Sequence, residues 1–246
     1  MNFTDKNIIV LTEIDSTNNY AKQLIKTGQE EGTVVLAQYQ KKGRGQQGNY
    51  WESEPGKNFL MSLILYPDFL NAGDQFYLSK IVSLALVELL ENEVEGVSIK
   101  WPNDIYVGEK KIAGILIENS VTGNQLSSSV AGIGLNLNQK NFKSDAPNPV
   151  SLRQLTGENY DVQIVMHRFL ELFNEWYKIL KSGSVREINV AYFSNLFRKT
   201  WWSWYKKDDD KFEARIVGVG EFGQLQLEDK SGKISEFMFK EVEFVL

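Results

Sequence analysis

The chain has 246 residues, enough for one substantial core and a small appendage, and carries 27 Lys+Arg against 32 Asp+Glu, a formal net charge of −5. That balance argues against a dedicated nucleic-acid surface. Cysteine is absent and His167 is the only histidine, which excludes disulfides, thiol chemistry and a multi-histidine zinc site and leaves a Ser-His-Asp triad hanging on one residue.

Residues 8–14 form a β-rich run. Asp15, Ser16 and Thr17 then offer helix-capping side chains to a helix over 18–26, with Gly28 as its stop. A strand over 33–39 runs into Gln40-Lys-Lys-Gly-Arg-Gly-Gln-Gln-Gly-Asn-Tyr-Trp51, whose glycines at 43, 45 and 48 spell G-x-G-x-x-G. A dinucleotide-binding turn would open a helix at its last glycine. Here Pro55 and Gly56 follow, with no 3.6-residue apolar stripe, so Gly43 and its fellows belong to a long flexible loop between two strands. Such a backbone can bring N–H groups close to an anion, and Arg44 adds a planar cationic fork suited to phosphate or carboxylate.

Downstream, 59–66 reads as a buried strand stopped by Pro67, and 74–92 as a helix with Tyr77, Leu78, Ile81, Val82, Ala85 and Leu89 on one face. Segments 97–107, 111–118 and 128–138 are β-rich and joined by short turns, which predicts a largely antiparallel sheet. Residues 139–160 read as a loop with a short helix, 162–180 as an amphipathic helix with His167 on its solvent face, and 185–199 as a second helix. Trp201, Trp202 and Trp204 are expected to be buried in domain packing. The last segments, 213–219, 223–227, 233–239 and 241–245, are short and β-like and predict a small barrel. No apolar run approaches the roughly 20 residues of a membrane span, and the N-terminus carries no apolar signal core, so a soluble, cytoplasmic protein without DNA or membrane partners is expected.

Three polar groups interrupt this apolar framework. Lys100, Asn103, Asp104 and Lys111 place charge and amides beside hydrophobic strand; Gly132-Ile-Gly-Leu-Asn136 removes side chains and supplies an amide; Ser16-Thr17-Asn18 forms the third. Each alone reads as a turn, a bulge or a helix cap. Together with Arg44 they suit a site that joins a carboxylate to a nucleotide phosphate, because bringing two anions together needs several cations and a loop that excludes water.

These residues carry a resemblance. Asp-Ser-Thr-Asn at 15–18, the Gly-Arg-Gly loop ending in Trp51, Lys-Trp-Pro-Asn-Asp at 100–104, Lys-Ile-Ala-Gly-Ile-Leu-Ile-Glu at 111–118 and Gly-Ile-Gly-Leu-Asn at 132–136 resemble, in order and spacing, the motifs of biotin protein ligases. The resemblance implies an α+β fold like that of class II aminoacyl-tRNA synthetases, a mixed, largely antiparallel sheet flanked by helices over 1–200, with a C-terminal SH3-like β-barrel over 201–246. It implies ATP and biotin as substrates, Mg²⁺, a biotinyl-5′-AMP intermediate, and transfer to a lysine of a biotin carboxyl carrier protein or domain of a biotin-dependent carboxylase, by a monomer or homodimer. By similarity Ser16, Thr17, Asn18, Gln38, Gly43, Arg44, Lys111, Gly114 and Gly132 line the biotin site. Arg44, Gln46, Trp51, Lys100, Asn103, Lys111 and Asn136 meet ATP or the adenylate. Arg44 and Lys111 bridge carboxylate and phosphate, and Asp104 is the candidate for orienting or deprotonating the incoming lysine.

The sequence departs from the family where further loop arginines are common: Gln46, Gln47 and Asn49 stand there, so retention of the adenylate is expected to lean on Arg44 and Lys111. The first catalytic strand already begins at Ile8, so the DNA-binding repressor module of some relatives is not expected. A lipoate ligase or octanoyltransferase is the enzymatic alternative, though it should lack Lys-Trp-Pro-Asn-Asp. A biotin-binding sensor without catalysis is the other.

Overall fold

A computed structural model describes residues 3–5, 7–143 and 148–245, the side chains of Asp5 and Gln47 excepted. Residues 144–147 of the expected 139–160 loop, including Pro147, lie outside the described residues.

The apolar runs become strands β1 (Ile8–Leu11), β2 (Val34–Ala37), β3 (Phe59–Leu65), β4 (Val97–Lys100), β5 (Asp104–Val107), β6 (Lys110–Thr122) and β7 (Gln125–Leu135). They assemble in the order β1-β2-β3-β7-β6-β5-β4. Only β1 and β2 pair in parallel, because helix α1 (Thr17–Lys26) crosses over between them; every other pair in this sheet is antiparallel, as consecutive strands with short turns require. The expected 97–107 strand is two strands, broken at Trp101-Pro102-Asn103.

Strand alternation sends side chains to two faces. Val34, Leu36, Met61, Leu63 and Leu65 join the main core against α2 (Phe76–Glu91) and α4 (Val162–Lys181). Val35, Ile64 and Val130 face the other way and meet Ala21 of α1 in a small second cluster. Helix α4 starts where the Asp161 carboxylate accepts hydrogen bonds from the backbone N–H groups of Gln163 and Ile164, and His167 is exposed on its outer face, as its spacing predicts. The short α3 (Leu152–Thr156) is held by a Ser151–Gln154 capping box, and α5 (Val185–Ser194) ends before the expected residue 199.

Helix α1 is ten residues long and covers only part of the second face. Beyond it β6 and β7 present Gly114, Gly132 and Gly134 on that face, with Gly114 paired to Gly134 and Leu116 to Gly132. The sheet therefore has an uncovered, glycine-paved area beside the first turn of α1.

The C-terminal strands β8 (Ser203–Lys207), β9 (Asp210–Val219), β10 (Leu225–Asp229), β11 (Ile234–Phe237) and β12 (Glu243–Phe244) pair antiparallel in the order β11-β10-β9-β8-β12. This overturns the expected closed SH3-like barrel: the sheet is open, with β11 and β12 at opposite edges. β12 is only two residues long and spends its pairing on β8, so it offers no ladder to β11. The buried-tryptophan expectation also fails. Trp201 is 71% exposed, Trp204 53% and Trp202 38%. Within β8 alternation turns Ser203 and Tyr205 inward and Trp204 outward, and Trp202 stacks under Lys230 and Arg215 instead of entering the core.

Candidate active site

The uncovered face of the sheet floors a cleft of about 780 Å³, within the roughly 300–1,000 Å³ usual for small-molecule sites. Of the residues nominated from sequence, it brings together Ser16, Thr17, Asn18, Arg44, Gln46, Trp51, Lys100, Asn103, Asp104, Lys111, Gly114 and Gly132. Gln38 does not join them: it is exposed just past the end of β2, and the residue that lines the cleft is Gln40. Gly43 and Asn136 are buried beside the cleft without lining it.

One end of the cleft is a buried polar cluster. Gln40 Oε1 accepts hydrogen bonds from Thr17 N at 2.8 Å and Thr17 Oγ1 at 3.1 Å. Ser62, a polar residue inside an otherwise apolar strand, sets its hydroxyl 2.8 Å from Thr17 Oγ1 and 2.6 Å from Asn18 Oδ1. Asn18 Nδ2 donates to Leu116 O at 3.1 Å and to Glu118 Oε2 at 2.9 Å. Its side chain lies on Gly132, where a Cβ would stand 2.2 Å from Asn18 Oδ1. Ser16 occupies the N-cap of α1, yet its hydroxyl makes no capping bond, which leaves it to the cleft. Gln40 and Ser62 escaped the sequence reading, because a polar residue at a strand end or amid apolar neighbours has no spacing signature.

The glycine loop, expected as a long flexible loop between two strands, folds as a hairpin. Arg44 bridges Tyr50, Gly45 N donates to Asn49 O at 2.7 Å, and Gln46–Gly48 turn at the tip with Gly48 at φ +88°. Gly43 packs on Trp51, whose carbonyl a Cβ at 43 would approach to 2.3 Å. This closure lays the Trp51 indole across the glycine floor: a Cβ at Gly134 would come 2.4 Å from Trp51 Cε2, and one at Gly114 3.0 Å from Cζ3. The indole Nε1 is buried with no hydrogen-bond partner among the described residues.

The two nominated cations are each matched to a carboxylate. Lys111 Nζ lies 2.6 Å from Asp104 Oδ1 in an ion pair that lacks the directional geometry of a hydrogen bond, and 5.8 Å from the centre of the Trp51 ring. Arg44 Nη2 donates to Glu118 Oε1 at 2.9 Å. Lys111 reaches the cleft through an irregularity. Lys111 and Gly114 are three residues apart, so strict alternation would put them on opposite faces; the register slips between Ile105 and Tyr106, leaving Ile112 unpaired and turning both to the cleft.

Lys100 lies over the Tyr106 and Phe244 rings at 5.3 and 5.1 Å. Burial pushes its pKa below the ordinary lysine value, with Lys111 and Arg198 adding to the shift and Asp104 and Glu243 opposing it. Asn103 Nδ2 donates to Ile115 O at 2.9 Å and fixes the β4–β5 turn against β6. Asn136 Nδ2 donates to Val150 O at 3.1 Å, whereas its Oδ1 is buried with no partner among the described residues, an acceptor that costs energy until a donor arrives. The C-terminal sheet adds a wall from Lys240, Val242, Glu243 and Phe244, none of them foreseen, and is tied in by Trp101 Nε1 donating to Gly223 O at 2.8 Å.

A profile of the Biotin/lipoate A/B protein ligase family matches residues 10–136. The chain is 32% identical over 196 residues to a Paracoccus denitrificans biotin–[acetyl-CoA-carboxylase] ligase, covering 77% of this chain and 80% of that protein. It is 32% identical over 234 residues to the Bacillus subtilis bifunctional ligase/repressor BirA, covering 89% and 68%. Among solved structures, a biotin protein ligase from Aquifex aeolicus in complex with biotin and ATP superposes with a TM-score of 0.81 at 30% identity, covering 98% of this chain and all of that one.

Proposed function

The chain belongs to the Biotin/lipoate A/B protein ligase family, and from that premise we propose how its cleft performs the reaction. The activity is ATP-dependent biotin–protein ligation through an acyl-adenylate. A biotin carboxylate oxygen bonds to the α-phosphorus of ATP as the bond to pyrophosphate breaks. The resulting biotinyl-5′-AMP is attacked at its acyl carbon by an amine, and AMP leaves.

The observation that carries the assignment of biotin is the buried polar end of the cleft. Ser16, Thr17, Asn18 and Gln40, 2–7% exposed and backed by Ser62, line it with hydroxyls and amides, a polar surface that matches a cyclic urea better than an apolar dithiolane ring. That favours biotin over lipoate. Gly114 and Gly132 let the Trp51 indole and the Asn18 side chain close down on the floor and wall in the ring and acyl chain, and Gln40 takes the place that Gln38 was expected to hold.

Arg44 and Lys111 stand where carboxylate and phosphate must meet, and their charge lowers the cost of bringing two anions together. Trp51, Gln46, Lys100 and Asn103 form the nucleotide side, and Asn136, buried behind the cleft, holds in Oδ1 an acceptor suited to an exocyclic amine. Asp104, 17% exposed and paired with Lys111, can take the proton that an incoming ammonium must lose before it attacks. The acceptor we assign is a lysine of a biotin carboxyl carrier protein. Residues 1–200 act as the catalytic unit and 201–246 as a partner that closes one wall.

Among the described residues no three His, Asp or Glu side chains converge on a metal-sized site. The cleft's isolated carboxylates fit Mg²⁺ as part of the ATP substrate, complexed by its phosphates and neutralising their charge. Also among the described residues, no helix is long and apolar enough to cross a membrane.

Pyrophosphate release with ATP, Mg²⁺ and either biotin or lipoate tests the reading. Release should depend on biotin. Release with lipoate alone would overturn the substrate assignment, and an adenylate that never reaches a carrier lysine would remove the proposed acceptor.

A further inference from the structure

Glu118 belongs to no part of the scheme above, yet it is the most heavily engaged carboxylate near the cleft. It closes the apolar stretch of β6 and does not line the cleft itself. Its Oε1 accepts from Lys22 Nζ at 2.5 Å and from Arg44 Nη2 at 2.9 Å; its Oε2 accepts from Asn18 Nδ2 at 2.9 Å and from Arg44 Nη1 at 3.3 Å. Arg44 Nη1 also donates to Asn19 Oδ1 at 2.6 Å. Burial at 18% side-chain exposure pushes the Glu118 pKa up, but the donors from Lys22, Asn18 and Arg44 outweigh it and leave the carboxyl below its ordinary value, hence ionised.

We propose that Glu118 is a positioning residue for the reaction, an exchangeable counter-anion that holds Arg44 at the mouth of the cleft until an anionic group of the ligand takes its place. The inference rests on the reading of Arg44 as the cation that meets carboxylate or phosphate.

Three observations support exchange over permanent anchoring. Arg44 is the only cation between Gly43 and Trp51, the positions around it being Gln46, Gln47 and Asn49, so a loop that must grip an anion has this one guanidinium to give. Both terminal guanidinium nitrogens, Nη1 and Nη2, are committed to Glu118, and an anion must compete for them. Finally, Glu118 can let go. One carboxylate here faces two cations, and when Arg44 leaves, Lys22 and the Asn18 amide still satisfy it, so no buried charge is stranded. Arg44 with the ligand anion and Glu118 with Lys22 are then two balanced pairs. Lys22 thereby acquires a role from outside the cleft: it lowers the cost of releasing Arg44.

The test is a double-mutant cycle read by calorimetric binding of biotin, which carries the carboxylate, and of biotinamide, which does not. Glu118→Gln keeps an acceptor for Asn18 but removes the competing charge. It should tighten biotin about two- to fivefold, the scale of a partly exposed ion pair, and leave biotinamide unchanged. Lys22→Gln, at a half-exposed surface position, should act in the opposite direction, weakening biotin by a similar factor by leaving Arg44 as the sole cation on Glu118. That weakening should vanish when Glu118→Gln is added. Biotin weakened or unchanged by Glu118→Gln, or biotinamide shifted equally, would show Glu118 to be a fixed anchor and overturn the proposal; so would a Lys22→Gln protein that binds biotin as the parent does. Failure of the unmutated protein to bind biotin at all would instead overturn the reading of the cleft beneath it.

Discussion

Gly134 owes its identity to Trp51. A methyl at 134 would stand 2.4 Å from the indole, and the neighbour is a ring pinned by its own backbone bond to Gly43, so the ring must lift off the floor. Gly134→Ala should leave the fold intact and lower kcat/KM for ATP about tenfold or more, since a displaced aromatic wall misaligns the nucleotide. A variant with parental kcat/KM would show that Trp51 does not form that wall. Lys111 is one of the two cations assigned to the point where carboxylate and phosphate meet, and it lines the cleft beside Asp104. Lys111→Ala should slow single-turnover biotinyl-AMP formation about 10²- to 10³-fold, the usual loss for one donor to a developing negative charge. Adenylate formed at the parental rate would mean the carboxylate and phosphate meet elsewhere. At this scale the sequence was largely readable: Arg44, Asp104, Lys111 and the glycines stand out because charge and missing side chains are anomalous in apolar strands. Gln38 was misplaced for a geometric reason. It lies two residues from Gln40, and only the bridge of Ile14 to Gln40 after β2 decides which glutamine turns inward.

Helical periodicity located α4, whose buried positions recur at helical spacing, whereas β3, buried at every position, and α2, buried at nearly every one, show as continuous apolar runs. Periodicity was blind to pairing defects. The bulge at Ile112, which turns Lys111 and Gly114 to one face, leaves no mark in the hydrophobic pattern, since Ile112 is itself buried. The Trp-rich run read as packing because aromatic burial is the ordinary case; Trp201 and Trp202 are exposed just before β8, and Trp204 is its outward-facing aromatic. Helix α1 offers a test of element against site. An N-cap serine replaced by alanine ordinarily costs about 0.5–2 kcal/mol. The Ser16 hydroxyl makes no capping bond, so Ser16→Ala should shift the urea unfolding midpoint little while raising the KM for biotin several-fold. A large loss of stability with unchanged KM would return Ser16 to the role of a cap.

At the scale of the whole molecule, the open C-terminal sheet and the seven-stranded sheet share one core and one cleft, which no segment-by-segment reading could foresee. The junction also buries a lysine. Lys80 of α2 is 2% exposed, donates to Asn189 Oδ1 of α5 at 2.7 Å, and lies 4.7 Å from the Tyr77 ring and 5.7 Å from that of Tyr192, in a bundle face where Phe76 meets Phe239. Burial pulls its pKa down to about 8. The unfolded chain therefore binds more protons than the folded one between about pH 8 and the ordinary lysine value of 10.5, and stability must rise with pH across that window. Lys100, lowered in the same direction, adds to the rise. The unfolding free energy from urea titration should increase by about 1–2 kcal/mol between pH 7 and pH 9.5, the cation–ring contacts keeping it toward the lower end. Lys80→Met should flatten the profile while keeping the stem's packing, because the group that titrates is gone. A parental profile that is flat or falling over that interval, or one that Lys80→Met leaves unchanged, would mean that the ammonium reaches water and that α2 and α5 part more readily than their packing indicates.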